Sequence, residues 1–219
     1  MLSQHNDKLV TMLHYQEQLN NVFDPEWRIN RHAYLRAATV EGAEFIEHHG
    51  YKWWKAQRKD VVQMQLELVD VIHFYLSEVA RVANDPEKAK VALLDAWNQE
   101  ENVVMFDGQA YVLAELPTLE KVDLMIGLAC AKRISWSLYR AVMVDAGMSF
   151  DQLYSIYAAK NVLNLFRQHN GDKQGTYIKI WAGREDNQYL EDLMQNWQPD
   201  HGMDVLYARL SECYQEFAR

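Results

Sequence analysis

The sequence predicts an all-α protein: a core of packed antiparallel helices carrying an inserted or mobile helical lobe. Three observations predict this. Glycine and proline are sparse, nine and four in 219 residues, and several of them fall where helical patterns end. Apolar residues recur at three- and four-residue spacing through long segments. We read no alternating strand pattern flanked by turn signals, and no repeat at a fixed period.

The elements follow in order. Residues 5–22 form a first helix, closed by Asp24-Pro25. Residues 31–49 form a second, ending at Gly50, a residue suited to the left-handed position after a helix. Residues 59–83 form a long third, stopped by Asn84-Asp85-Pro86. A fourth runs from 86 to 102. Residues 106–117, FDGQAYVLAELP, read as irregular or as a short extension. Pro117-Thr118 opens a helix that continues to Ala146, with Gly147 as its stop. Ser149 and Gln152 have capping-box spacing and start a helix to His169. Residues 170–184, NGDKQGTYIKIWAGR, carry three glycines and read as a functional loop. Helices near 185–197 and 202–218 finish the chain. The whole is one domain, residues 1–219, in which 86–146 form a helical lobe without linker composition at its edges.

Composition narrows the function classes. A hydrophobic content of 49% supports a sizeable core. A formal charge of −9 without a basic tract argues against nucleic-acid binding. Cys130 and Cys213 lie outside any CxxC pair and read as two reduced thiols. The first residues, MLSQHNDKLV, lack the apolar stretch of a signal peptide, and no apolar run approaches the ~20 residues that cross a membrane. The expectation is a soluble cytoplasmic protein with neither nucleic-acid nor membrane partners.

Chemistry enters with two acidic pairs. EGAEFIEHHGYKWWK, residues 41–55, carries Glu41 and Glu44 one turn apart, then two tryptophans between lysines. QLELVDVIHFYLSE, residues 65–78, carries Glu67 and Asp70 one turn apart, with His73 and Ser77 further along the same stripe. The second helix is apolar almost all round, so it is mostly buried, and buried carboxylates are costly unless paired or bound to a cation. If the two helices pack antiparallel, four carboxylates converge with no Lys or Arg on the same stripe. Hard oxygen donors of this kind suit Mg²⁺ or Mn²⁺. Set against this, ExxE on a helix is common on solvated faces.

ExxE, then a gap of about twenty residues, then ExxD resembles the motif of the all-α NTP pyrophosphatases, the superfamily of the MazG proteins and the dimeric dUTPases. The likeness to the dimeric dUTPases is the closer. EGAEFIEHHGYKWWK is similar to their first motif and QLELVDVIHF to their second. Residues 158–190, AAKNVLNLFRQHNGDKQGTYIKIWAGREDNQYL, are similar to a third, long segment that MazG proteins lack. Gln16 to Asn20 fits an N-terminal Gln-x-x-Leu-Asn element. Residues 86–146 carry no motif of the group.

The resemblance implies hydrolysis of dUTP, and of dUDP, to dUMP by a Mg²⁺-dependent homodimer. It implies that Glu41, Glu44, Glu67 and Asp70 hold two or three Mg²⁺ ions, with Mn²⁺ as the other suitable cation. Water then attacks the β-phosphorus, and Glu41 or Glu44 takes its proton. Lys160, Asn164 and Arg167, on one helix face, with Tyr177 and Lys179, are the phosphate-side candidates. Asp186 and Asn187 are candidates for the sugar hydroxyl. Trp54 packs on the uracil in this reading, and Gln16 and Asn20 bond its edge. Trp53 and Trp54 also read as core aromatics, since neighbours in sequence point apart. His73 and Phe74 line the deoxyribose, with a structural histidine as the alternative. The glycines of 170–184 let that loop close over the nucleotide. Three other readings remain open: a related pyrophosphatase with dCTP or broad dNTP preference, a di-iron carboxylate bundle, for which only Asp70-x-x-His73 has suitable spacing, and a non-catalytic helical binding module.

Overall fold

The computed structural model describes residues 2–218. Among them ten α-helices and two very small hairpins succeed one another, an all-α architecture. Helices α1 (Leu2–Phe23), α2 (Trp27–Asn30), α3 (Tyr34–His49) and α4 (Val61–Ala83) build the first half. Helix α3 stops where Gly50 adopts a left-handed conformation, and α4 begins at Asp60, whose side chain accepts from the Gln63 amide. The Asp60 amide donates to the His48 carbonyl, 2.9 Å, so the start of α4 lies against the end of α3. The two then run back along each other as the expected antiparallel pair. Helix α4 ends at Asn84, which takes a left-handed conformation in place of a glycine.

Helix α5 (Pro86–Asn98) starts with Pro86 in its first turn and Asp85 as cap. It is followed by β1 (Val103–Phe106) and β2 (Gln109–Val112), paired antiparallel from Val103 opposite Val112 to Phe106 opposite Gln109. This hairpin corrects the sequence reading, which had no strand there. The turn is Asp107-Gly108, both at positive φ, and an Asp-Gly turn between short apolar runs is a strong local hairpin signal. A second correction concerns residues 118–146. They form two helices, α6 (Thr118–Cys130) and α7 (Trp136–Asp145). The break falls at Lys132, in a left-handed conformation, and α7 restarts at Ser135, whose hydroxyl accepts from the Leu138 amide. Serine competes for backbone donors and favours such starts.

Helix α8 (Phe150–His169) opens with the expected Ser149–Gln152 capping box. Its first half packs into the main core, where Leu153 and Tyr157 join Leu9, Met12, Phe45, Leu68, Ile72 and Leu76. Its second half carries Val162, Leu163 and Phe166 into another cluster with Trp181, Leu190, Trp197, Leu206 and Leu210. That cluster is closed by the two-residue strands β3 (Ile180–Trp181) and β4 (Arg184–Glu185), then α9 (Asp186–Met194) and α10 (Met203–Phe217). Helix α6 packs on α3 at Gly42, where a Cβ would come within 2.9 Å of Ile126. No described helix is long and apolar enough to cross a membrane.

Candidate active site

Helices α1, α3, α4 and α8 border one groove of about 870 Å³. At one end lie acids. Glu41 from α3 and Glu67 and Asp70 from α4 each offer an oxygen within 4.8 Å of the others. Desolvation and the neighbouring acids push Glu41 up to about 7 and Glu67 up to about 8. Glu44 stands one turn beyond Glu41, exposed, and adds to the repulsion on both. His48 Nε2 is 3.4 Å from Glu67. Lys160 reaches over from α8 and pairs with Asp70 at 2.8 Å. The stripe on α3 and α4 has no cation of its own, as expected, but the fold brings one in from a third helix. One lysine does not balance this many carboxylates. An all-oxygen donor set with excess negative charge fits a hard divalent cation.

Arg167 lines the same groove, 17% exposed at its side chain, with a bidentate partner behind it. Its Nε and Nη2 donate to the two oxygens of Asp186, 2.7 and 2.8 Å. Asp186 is fully buried and also accepts from the Tyr177 hydroxyl, 2.8 Å, and the Asn187 amide, 2.8 Å. Asp186 is therefore the counter-ion that sets Arg167, where the sequence suggested a sugar contact; a 0% exposed carboxylate is not presented to a ligand. Tyr177 and Asn187 belong to this anchor and not to the groove lining. Lys179 lies outside the lining too, half-exposed and 3.5 Å from Glu185. Asn164 does line it, and its Oδ1 accepts from Arg167 Nη1 at 3.3 Å.

At the other end the lining is uncharged: Gln16, Asn20, His73, Phe74 and Ser77. Gln16 and Asn20 stand one turn apart on α1 and bond each other, 3.0 Å. Asn20 Nδ2 donates to Ser77 Oγ, 3.1 Å, and Ser77 Oγ donates to the His73 carbonyl, 2.9 Å. His73 Nδ1 lies 2.7 Å from Gln16 Oε1. Burial pulls its imidazole down to about 4, so it is neutral near pH 7. The groove continues past Leu19 and Phe23 to a rim of Trp27, Asn30, His32 and Tyr34, which sequence reasoning did not find.

Trp54 does not reach this groove. Gly50 ends α3, so the Lys-Trp-Trp-Lys run sits in the connecting loop. There Trp54 is 57% and Trp53 90% exposed, so neither is a core aromatic either. Their rings meet edge to face, 5.6 Å between centroids.

A family described as dUTPase matches residues 8–171. The match spans both acidic pairs, the amide end and Lys160, Asn164 and Arg167, and it stops before Tyr177 and Asp186. Comparison with curated proteins gives no match. With an all-α fold, an acidic cluster, a cationic wall and an uncharged end in one groove, and this match over most of its length, the chain belongs to the dUTPase family and is a dUTP diphosphatase.

Proposed function

We propose that the groove binds dUTP, and also dUDP, with the base at the Gln16–Asn20 end and the phosphates between Lys160, Arg167 and the carboxylates. The observation that supports this best is the continuity of one groove from an uncharged amide-lined end to an end where acids and cations meet. Glu41, Glu44, Glu67 and Asp70 would hold Mg²⁺, two or three ions. Bound there, Mg²⁺ supplies charge neutralisation for the phosphate chain and acidity for water.

The chain's own groups do the rest. Glu41 or Glu44 takes the proton of the water that attacks the β-phosphorus. The bond from that phosphorus to the oxygen of the α-phosphate breaks, and dUMP leaves with pyrophosphate from dUTP or with phosphate from dUDP. Lys160, Asn164 and Arg167 stabilise charge on the phosphate oxygens, with Arg167 aimed by Asp186, Tyr177 and Asn187. Phe74 lies beside the deoxyribose and leaves no partner for a 2′-hydroxyl, with His73 next to it. Loop 170–184, carrying Lys179, closes over the nucleotide; equal proteolysis of this loop with and without a nucleotide analogue would contradict the closure. Trp54, if it packs on the base, must move with its loop. The working unit is a homodimer, checked by sedimentation.

The direct test is release of dUMP from dUTP and dUDP, beside dCTP, dTTP and UTP, with Mg²⁺ and with EDTA. The reading expects turnover of the two deoxyuridine nucleotides alone, abolished by EDTA. Comparable turnover of dCTP contradicts the base end, and EDTA-resistant turnover contradicts the carboxylate end.

A further inference from the structure

The amide network at the base end has a direction, and Tyr157 is where the direction is set. Tyr157 sits on α8, fully buried, its ring stacked on His73 with 4.1 Å between centroids and 21° between planes. Its hydroxyl lies 2.9 Å from Gln16 Oε1 and 2.9 Å from the Met12 carbonyl oxygen. Both neighbours are acceptors, so the hydroxyl is a donor there. That keeps the Gln16 carbonyl oxygen turned toward Tyr157 and its amide nitrogen turned toward Asn20.

The consequences run along the network. An amide oxygen only accepts, so His73 Nδ1, 2.7 Å from Gln16 Oε1, carries the ring hydrogen. A neutral imidazole has one N–H, so Nε2 keeps a bare lone pair. That atom is buried and has no hydrogen-bond partner in the structure, on a side chain 4% exposed that lines the groove. Gln16 Nε2 gives one hydrogen to Asn20 Oδ1, Asn20 Nδ2 gives one to Ser77, and Ser77 gives its own to the His73 carbonyl. Each amide nitrogen then retains one N–H that nothing in the network uses.

Run in the opposite direction, the same residues would expose carbonyl oxygens in place of amide N–H groups, and His73 would carry its hydrogen on Nε2. The difference matters to a base. A uracil edge presents two carbonyl oxygens flanking one N–H, whereas cytosine replaces a carbonyl by an amino donor and the N–H by an acceptor. Amide donors fit the first and repel the second.

We propose that Tyr157 is a positioning residue that fixes the direction of the Gln16–Asn20–His73 network and thereby the preference of the base end for a uracil edge over a cytosine edge. The inference rests on the assignment of that end to the base. It is independent of the carboxylate end.

Long-range ¹⁵N NMR of the full-length protein near pH 7, with the His73 signal assigned by its loss in His73→Gln, reads the direction. Wild type is expected to show Nδ1 protonated and Nε2 unprotonated. Tyr157→Phe keeps the stacked ring and removes the donor. It is expected to mix the two tautomers and to lower the dUTP-to-dCTP ratio of kcat/KM about 10-fold, the scale of one lost hydrogen bond. The change should fall on KM, with kcat for dUTP nearly unchanged. A wild-type His73 protonated on Nε2 overturns the inference, and it does so even if Tyr157→Phe fails to fold. A folded Tyr157→Phe with tautomer and ratio both unchanged overturns it as well. Wild type that turns over dCTP as well as dUTP refutes the base-end assignment itself, while the tautomer still scores the direction.

Discussion

Gln16, Asn20, Ser77 and Tyr157 at one end of the groove are buried and hydrogen-bonded to one another. At the other end Glu41, Glu67 and Asp70 face each other, with Lys160 on Asp70 and His48 beside Glu67. Neutral dipoles can satisfy each other inside a fold, so the first end is organised before any ligand arrives. Like charges cannot, so the second end is held together only by the surrounding helices and gains from any cation that enters. The first end is built to discriminate. The second is built to be completed.

Removing one acid should separate the two most sharply. Glu67→Gln is expected to lower dUTP turnover on the order of 10³-fold, since a group that places positive charge at the reacting phosphate is lost. In EDTA, the same variant is expected to melt higher than wild type by about 2–4 °C, because repulsion is relieved. A variant that is inactive and also less stable would mean that Glu67 is structural.

Breaking a satisfied charge pair should do the reverse. Asp186→Asn leaves Arg167 without its carboxylate, and loss of one partner of a buried pair costs about 3 kcal/mol. Chemical denaturation should show that loss, and KM for dUTP should rise. Unchanged stability would mean that Arg167 finds another partner.

A smaller effect is expected from pH. Glu41 and Glu67 titrate above the ordinary carboxylate range in the cation-free fold, at about 7 and about 8. Raised acids stabilise the fold fully below their unfolded values, and that stability is lost as pH rises through the folded ones. The EDTA-treated protein should therefore melt lower on going from about pH 5 to about pH 8 through these two groups, and Mg²⁺ should restore it. A melting temperature that rises over that window would contradict the crowding of these acids. The smallest effect is expected at Trp53, 90% exposed: Trp53→Ala should change stability by no more than about 0.5 kcal/mol. A larger loss would show that the loop is packed against something.

Much of this was legible in the sequence where a local signal exists. The long helices, the Gly50 and Asn84 stops and the Ser149 cap follow from spacing and from a few residues with special backbone roles. The Asp107-Gly108 hairpin and the Ser135 restart carried local signals as well, and helical periodicity on either side outweighed them. The acids could be paired from i, i+3 spacing alone. What spacing does not contain is contact between distant helices. Lys160 meets Asp70 from ninety residues away, and Tyr157, unremarkable in an apolar helix face, meets Gln16 across 141 positions. Asp186 read as a ligand contact because sequence cannot show that a carboxylate is sealed behind an arginine. Trp54 read as a groove residue because its neighbours are acids in sequence, whereas Gly50 turns the chain before it.

The central claim is that the carboxylate end is completed by a divalent cation. Calorimetric titration of EDTA-stripped protein with MgCl₂, run in two buffers of different ionisation enthalpy, tests it without substrate. The account predicts saturable binding with proton release in wild type, and neither in Glu67→Gln. Absence of binding in wild type, or equal binding by Glu67→Gln, would contradict it.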